Sequence, residues 1–226
     1  MMDGSWPGAR VVSVNVGATR PVEWHGRTVT TAIWKSPVPG PVHVGELSMA
    51  GDQQADLRVH GGADKAVYAY AREDYLWWAG ELGHPLEPGT FGENLTVQGI
   101  DLTGALIGEQ WRVGSAVLAV TQPRIPCFKL GVRMGDSGFV ERFSAAGRPG
   151  AYLRVVAAGD VEAGDAVARA ARPAHGLTVG GVAAAYAGDA ELLETIADNP
   201  DITADWSEWA RRQLARRFAR TPSAHS

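Results

Sequence analysis

From residue 10 to residue 167 the chain is a succession of short β-branched or alternating runs, each ended by glycine or proline. Residues 10–16, 28–35, 65–71, 109–113, 116–121, 151–156, 161–162 and 165–167 read as strands, residues 41–44 as a short extended piece, and 89–97 as a glycine turn running into a strand. Gly114-Ser115 suits a two-residue hairpin turn. Strands this short and this closely spaced predict a closed or nearly closed β-barrel rather than a parallel sheet. Residues 17–26 read as a turn-rich loop, and 131–150 as loop with a short helical stretch at 139–143. One clear helix interrupts the β pattern at 72–82, with Glu73 and Asp74 in its first turn, Gly83 after its end, and Tyr75, Leu76 and Trp78 turned inward.

The pattern changes after Arg172-Pro173. Residues 178–187, 189–197 and 203–218 read as three helices with Thr178, Asp189 and Thr203 as N-caps. Trp206, Trp209, Ala210, Leu214 and Phe218 form one apolar stripe on the third, and Arg211, Arg212, Arg216 and Arg217 occupy its other faces. The fold class expected is mainly β, a β-barrel with a few helices and a C-terminal three-helix appendage (α+β overall). The division is a barrel domain at 1–173 and the appendage at 174–226, ending in a disordered tail.

Composition removes several function classes. A single cysteine among 226 residues forbids an internal disulfide, a four-cysteine zinc site and a protein-held iron–sulfur cluster. A free thiol suits a reducing cytosol, and no apolar run has the length of a signal core or a membrane span, so the expected location is cytoplasmic, with no membrane association. A net charge of −4 argues against general nucleic-acid affinity. The phosphate loop of nucleotide hydrolases, the dinucleotide fingerprint, the helical zinc motif and the nucleophile elbow are all absent.

The chemistry-bearing residues lie in loops. Thr121-Gln-Pro-Arg124-Ile-Pro-Cys127-Phe-Lys129-Leu130 holds the only cysteine; its two prolines argue against a central strand or a helix interior, so it reads as a rigid loop leaving a strand. Arg124 and Lys129 flank the thiol, and nearby cations favour a thiolate, although a lone cysteine also serves as a small buried hydrophobe. Arg58, His60, Gly61, Gly62 and Lys65 form a glycine-bearing basic segment suited to an anion; a tight turn with an Asp64–Lys65 ion pair fits the same residues. Asn94, within 89–96, can offer a donor and an acceptor to a heterocycle, or bond nearby backbone. Arg148 stands just before a strand. The chain holds three lysines, Lys35, Lys65 and Lys129.

Four segments in order carry a resemblance: His60-Gly-Gly-x-Asp64-Lys65-Ala-Val-Tyr-Ala-Tyr70, Phe91-Gly-Glu-Asn94-Leu95, Gln122-Pro-Arg124-x-Pro-Cys127-x-Lys129-Leu130 and Gly147-Arg148-Pro-Gly150. Together they resemble the ordered motifs of the MOSC domain family, the C-terminal domain of molybdenum cofactor sulfurases. The helical tail is similar to the appendage of stand-alone bacterial members, among them reductases that detoxify N-hydroxylated purines such as 6-N-hydroxylaminopurine.

The resemblance implies a β-barrel, a molybdenum cofactor (molybdopterin) and Cys127 as molybdenum ligand. It implies reduction at the metal, in which a substrate N–OH loses its oxygen. Cys127, Arg124 and His60 are the catalytic expectations. Arg58, His60, Lys65, Arg124 and Arg148 are expected around the cofactor phosphate and developing charge, Gly61 and Gly62 with them as cofactor-binding backbone, Asn94 and Thr96 at the pterin edge, and Lys129, also assigned to the cofactor pocket, either beside Cys127 or pointing to solvent. The competing reading is a non-catalytic carrier of sulfur or cofactor on a Cys127 persulfide or thiolate. For an enzyme, the partners expected are an N-hydroxylated small molecule and a separate electron-donor protein or reductant. No flavin, nicotinamide or iron–sulfur signature is present, and the basic last helix reads either as a solvated face or as a docking face for an acidic carrier.

Overall fold

A computed structural model describes residues 5–55 and 61–220. Seven strands close into a mixed barrel. Around it run β1 (Ser5–Val16), β7 (Leu95–Gln98), β6 (Val67–Ala71), β10 (Ala151–Ala157), β9 (Ala116–Pro123), β8 (Gln110–Val113) and β12 (Ala166–Ala171), and the last pairs back onto β1. Every pairing is antiparallel except β6 with β7. Two short antiparallel pairs lie outside this ring: β2 (Arg20–Trp24) with β3 (Arg27–Thr31), and β5 (Val42–Val44) with β11 (Gly159–Val161). β4 (Ser36–Pro37) adds to the end of β1. Closure removes the unpaired edges that an open sheet of this composition would expose.

β6 shows how the sequence builds the core. Its residues Val-Tyr-Ala-Tyr-Ala alternate, and successive side chains of a strand point to opposite faces. Val67, Ala69 and Ala71 enter the barrel's aliphatic cluster with Val11, Val97, Trp111, Leu118 and Leu153. Tyr68 and Tyr70 face the other way, into an aromatic cluster with Tyr75, Trp78, Phe91, Phe139 and Phe143. That second cluster is roofed by helices α1 (Arg72–Leu82), α2 (Phe128–Met134) and α3 (Phe139–Ala145). Its polar atoms are satisfied inside it: the Trp78 indole donates to the Tyr70 hydroxyl at 2.8 Å, and Tyr68 donates to the Pro149 carbonyl at 2.8 Å.

The tail forms α4 (Val179–Ala187), α5 (Leu193–Asp198) and α6 (Ala204–Arg220). Val179, Val182, Leu193, Ile196, Trp206 and Ala210 belong to the same apolar cluster as the barrel interior, so the helices are packed on the barrel rather than tethered to it. Residues 221–226, where a disordered tail is expected, lie outside the described residues.

Local expectations fail at several places. The loop expected at 17–26 holds β2; it turns onto β3 through His25 and Gly26, both at positive φ, as a tight hairpin turn of primed type requires. β3 stops at Thr31 rather than running to 35. Lys65 closes a 3-10 turn, Ala63–Lys65, rather than opening a strand. The cysteine segment is less loop-like than its prolines suggest. β9 runs through Pro123, because β8 pairs only as far as Ala119 and one side of the strand's end needs no ladder donor. Residues 128–134 are helical. Leu76 faces solvent at 63% exposure, and Phe218, placed on the apolar stripe, is 74% exposed. Thr178 caps α4 by accepting from Gly181 N at 2.9 Å. Thr203 does not cap, since its hydroxyl has no partner, and Asp189 stands ahead of α5, whose N-cap position is Leu192.

Candidate functional site

The segment after β3, the loop at residues 53–55, the start of β6 and of β10, and the turn after β9 converge on one cleft. Its walls include Lys35, Gln53, Lys65, Tyr68, Asn94, Arg124, Cys127, Lys129 and Tyr152. All three lysines of the chain therefore line the same cleft as its only cysteine.

The cysteine is positioned by β9. Pairing of Pro123 with Ala151 and of Gln122 with Tyr152 fixes the strand end, and Cys127 follows in extended conformation just ahead of α2. Its thiol is partly exposed and caps nothing. Arg124, three residues earlier, is buried. Its guanidinium donates to the Phe91 carbonyl and lies 5.0 Å from the Tyr68 ring centroid. Burial opposes its charge, but the Tyr68 and Tyr152 hydroxyls and the Cys127 thiol outweigh burial and raise its pKa above the ordinary value. No carboxylate pairs with Arg124 among the described residues. A buried cation in that condition favours an anion in the space it faces.

Lys65 is held by its turn. The Thr121 hydroxyl donates to the Asp64 carbonyl at 2.6 Å, pinning the turn to β9. Asp64 pairs with Arg154 at 3.1 Å rather than with Lys65. Lys35 is buried against Asp52, which also accepts from Gly17 N at 2.9 Å and from the Asn94 amide at 2.9 Å. Burial lowers the Lys35 pKa against the pull of Asp52.

The remaining expected residues divide. Asn94 reaches the cleft, but its oxygen accepts from Tyr68 N at 3.1 Å and its amide donates to Asp52 and to the Asn15 carbonyl, so most of its polar edge is used in holding the wall together. Thr96 is buried behind it, donating to Glu93 at 2.7 Å and accepting from Asn15 at 3.1 Å. Gly61 and Gly62 shape the approach to the Lys65 turn without lining the cleft. Arg148 lies elsewhere: it pairs with Asp74 at 2.5 Å, sits 4.7 Å from the Trp77 ring centroid and lines a separate hollow. Arg58 and His60 lie outside the described residues.

Sequence reasoning missed Lys35, Gln53, Tyr68 and Tyr152. The scarcity of lysine was the one available signal for Lys35. The tyrosines are legible only once β6 and β10 are paired, Tyr68 opposite Tyr152.

Glu93, beside Asn94, is fully buried. Its Oε1 accepts from Tyr75 at 2.6 Å, Gly89 N at 2.7 Å and Thr96, whereas Oε2 has no partner. Burial pushes its pKa up, against those hydrogen bonds.

Known proteins repeat this sequence and architecture. Residues 56–168 match the MOSC domain model. YflK of Bacillus subtilis is 38% identical over 169 residues, covering 75% of this chain and 76% of that protein. A Gibberella moniliformis protein named Reductase is 34% identical over 154 residues, 66% of this chain but 27% of the relative. The crystal structure of YiiM from Geobacillus stearothermophilus superposes with a TM-score of 0.76 at 31% identity, covering 91% of this chain and 99% of that one. The chain belongs to the MOSC domain family.

Proposed function

We propose that this protein is a molybdenum-cofactor-dependent reductase of N-hydroxylated compounds, with Cys127 as the protein ligand to the metal. The observation that carries the reading is the grouping of one partly exposed thiol, three lysines and the buried Arg124, which has no carboxylate partner among the described residues, around one cleft. That donor set fits the group: a thiolate suits a thiophilic metal, and the cations suit a phosphate and a developing negative charge. Family membership and the reductase-named relative support the same direction.

In this reading Cys127 holds the metal through sulfur, and Lys65 and Lys129 hold the phosphate. Arg124, fixed by the Phe91 carbonyl, keeps a positive charge beside Cys127. Asn94 and Asp52 brace the wall that carries Lys35. When bound, the cofactor supplies the two-electron chemistry that removes the N–OH oxygen, and the protein supplies orientation and charge.

The test is molybdenum content by elemental mass spectrometry, on wild type and Cys127→Ser purified from a host that makes molybdopterin. Near-stoichiometric metal in wild type, lost in the variant, together with turnover of N-hydroxylated compounds, supports the reading. Absence of metal from both, with a persulfide mass adduct on Cys127, overturns it in favour of a sulfur carrier.

A further inference from the structure

The rim of the cleft carries a second group of cations, apart from the lysines in its walls. Lys129 and Arg133 are four residues apart on α2 and so share one face of it. Lys129 lines the cleft, which puts Arg133 one helical turn, about 5 Å, further along the rim. On the other side, pairing of Arg20 with Thr31 sets the start of β2 beside the segment that runs from β3 to Lys35. Trp34 lies in that segment, between the cleft residues Ile33 and Lys35. Its partly buried ring packs on the aromatic cluster beneath the helices.

The two arginines meet on that ring. The Arg20 guanidinium lies 3.9 Å from the Trp34 ring centroid, and that of Arg133 lies 5.7 Å from it. An aromatic face attracts guanidinium groups and orients them. Neither arginine has a carboxylate partner among the described residues, and the buried Nε of Arg133 has no hydrogen-bond partner among them. The acids of the flanking segments are engaged elsewhere. Asp52 holds Lys35, Gly17 N and the Asn94 amide, Asp136 holds Arg142 and Gly138 N, and Glu23 accepts from Thr28. Glu93 is the one carboxyl whose charge reaches Arg133, and it is fully buried and bonded to Tyr75, Gly89 and Thr96. Burial opposes the Arg133 charge, and the neighbouring Arg20 charge adds to that opposition. A dianion between the two guanidinium groups relieves both, and their planar donor forks match the oxygens of a phosphoryl group.

We propose that Arg20, Trp34 and Arg133 form an anion site on the rim of the cleft, distinct from its lysines, that takes a phosphoryl group. The group is either free phosphate or the phosphate of an ester whose body lies along α2 toward the cleft. Trp34 is the platform that holds the two cations together.

The test is calorimetric titration of cofactor-free protein, purified from a host that cannot make molybdopterin, with inorganic phosphate and with ribose 5-phosphate. About 0.15 M sodium chloride suppresses attraction between exposed charges alone. One bound phosphate is expected to depend on both arginines: Arg20→Gln and Arg133→Gln each weaken it at least about tenfold, the scale of one charge-assisted hydrogen bond. Arg133→Lys, which keeps the charge and loses the fork, weakens it several-fold. Lys65→Ala leaves that phosphate in place. Arg20 is exposed, so Arg20→Gln leaves the fold intact even where Arg133→Gln loosens α2. Tighter binding of ribose 5-phosphate identifies an ester as the source, and equal affinities identify free phosphate. No binding at this ionic strength, binding unaffected by Arg20→Gln, or binding lost with Lys65→Ala alone overturns the site. Because the titration uses protein without cofactor, its failure leaves the reductase reading standing, and absence of molybdenum from the purified protein leaves this site standing.

Discussion

The indole nitrogen of Trp206 donates a 2.7 Å hydrogen bond to the side-chain oxygen of Gln122, joining the last helix to the strand that delivers the cysteine. Both side chains are buried. Trp206→Phe keeps most of the apolar volume but leaves the Gln122 oxygen unpaired. The expected cost is about 1–3 kcal/mol, measured by chemical denaturation. A loss no larger than that of an exposed-site control such as Phe218→Ala would show that the bond does not brace the appendage.

Glu93 makes stability depend on pH. Its folded pKa is raised above the unfolded value, so between the two the native state holds the extra proton and stability falls as pH rises. The slope over that window approaches about 1.4 kcal/mol per pH unit for one group. Below about pH 4.3, near the unfolded value for glutamate, this contribution does not change. Glu93→Gln keeps an acceptor oxygen for Tyr75, Gly89 and Thr96 and removes the ionisation. Denaturation across the acid-to-neutral range should show wild type losing ground to the variant with rising pH; parallel curves would disprove the assignment.

Lysine and arginine substitutions should separate the cleft from its surroundings. Lys65→Ala and Lys129→Ala are expected to lower molybdenum retention several-fold with little change in melting temperature. Arg148→Ala should do the reverse. It leaves Asp74 buried beside Trp77 without its cation, and burial already raises the Asp74 pKa. The expected loss is about 1–2 kcal/mol, below that of a fully buried pair because the Arg148 end is partly exposed. Retention that falls with Arg148 and not with the lysines would move the phosphate site.

Gly150 tests why the fourth motif exists. It sits at φ +64°, and a Cβ there would lie 2.6 Å from the Ala69 carbonyl oxygen and 2.8 Å from the Tyr70 ring. Gly150→Ala should cost at least about 2 kcal/mol, from left-handed strain plus displacement of β6, seen as a lowered denaturation midpoint. A midpoint unchanged within error would mean that β10 can shift away.

These cases mark what was legible in the sequence. The barrel was readable because alternation and glycine punctuation are local, and the cysteine turn because its prolines, thiol and cations are contiguous. β2 was hidden because it is only five residues long, contains Pro21 and buries none of its side chains fully. α2 was hidden because Gly131 and two upstream prolines depress helix propensity, while tertiary packing of Leu130 restores it. Arg148 resembled a ligand because its partner, Asp74, is 74 residues away. Lys35 joined the site only through Asp52, a pairing that no local pattern encodes.

The convergence of every lysine side chain on one cleft makes this protein's amine chemistry regiospecific by construction. Acylating reagents, amine-reactive cross-linkers and immobilising resins find, apart from the chain's terminal amine, nothing to modify except the walls around Cys127. A surface tether for this molecule must therefore be built on carboxylates or on a terminus, and the extent of lysine modification becomes a direct gauge of how well the cleft is covered.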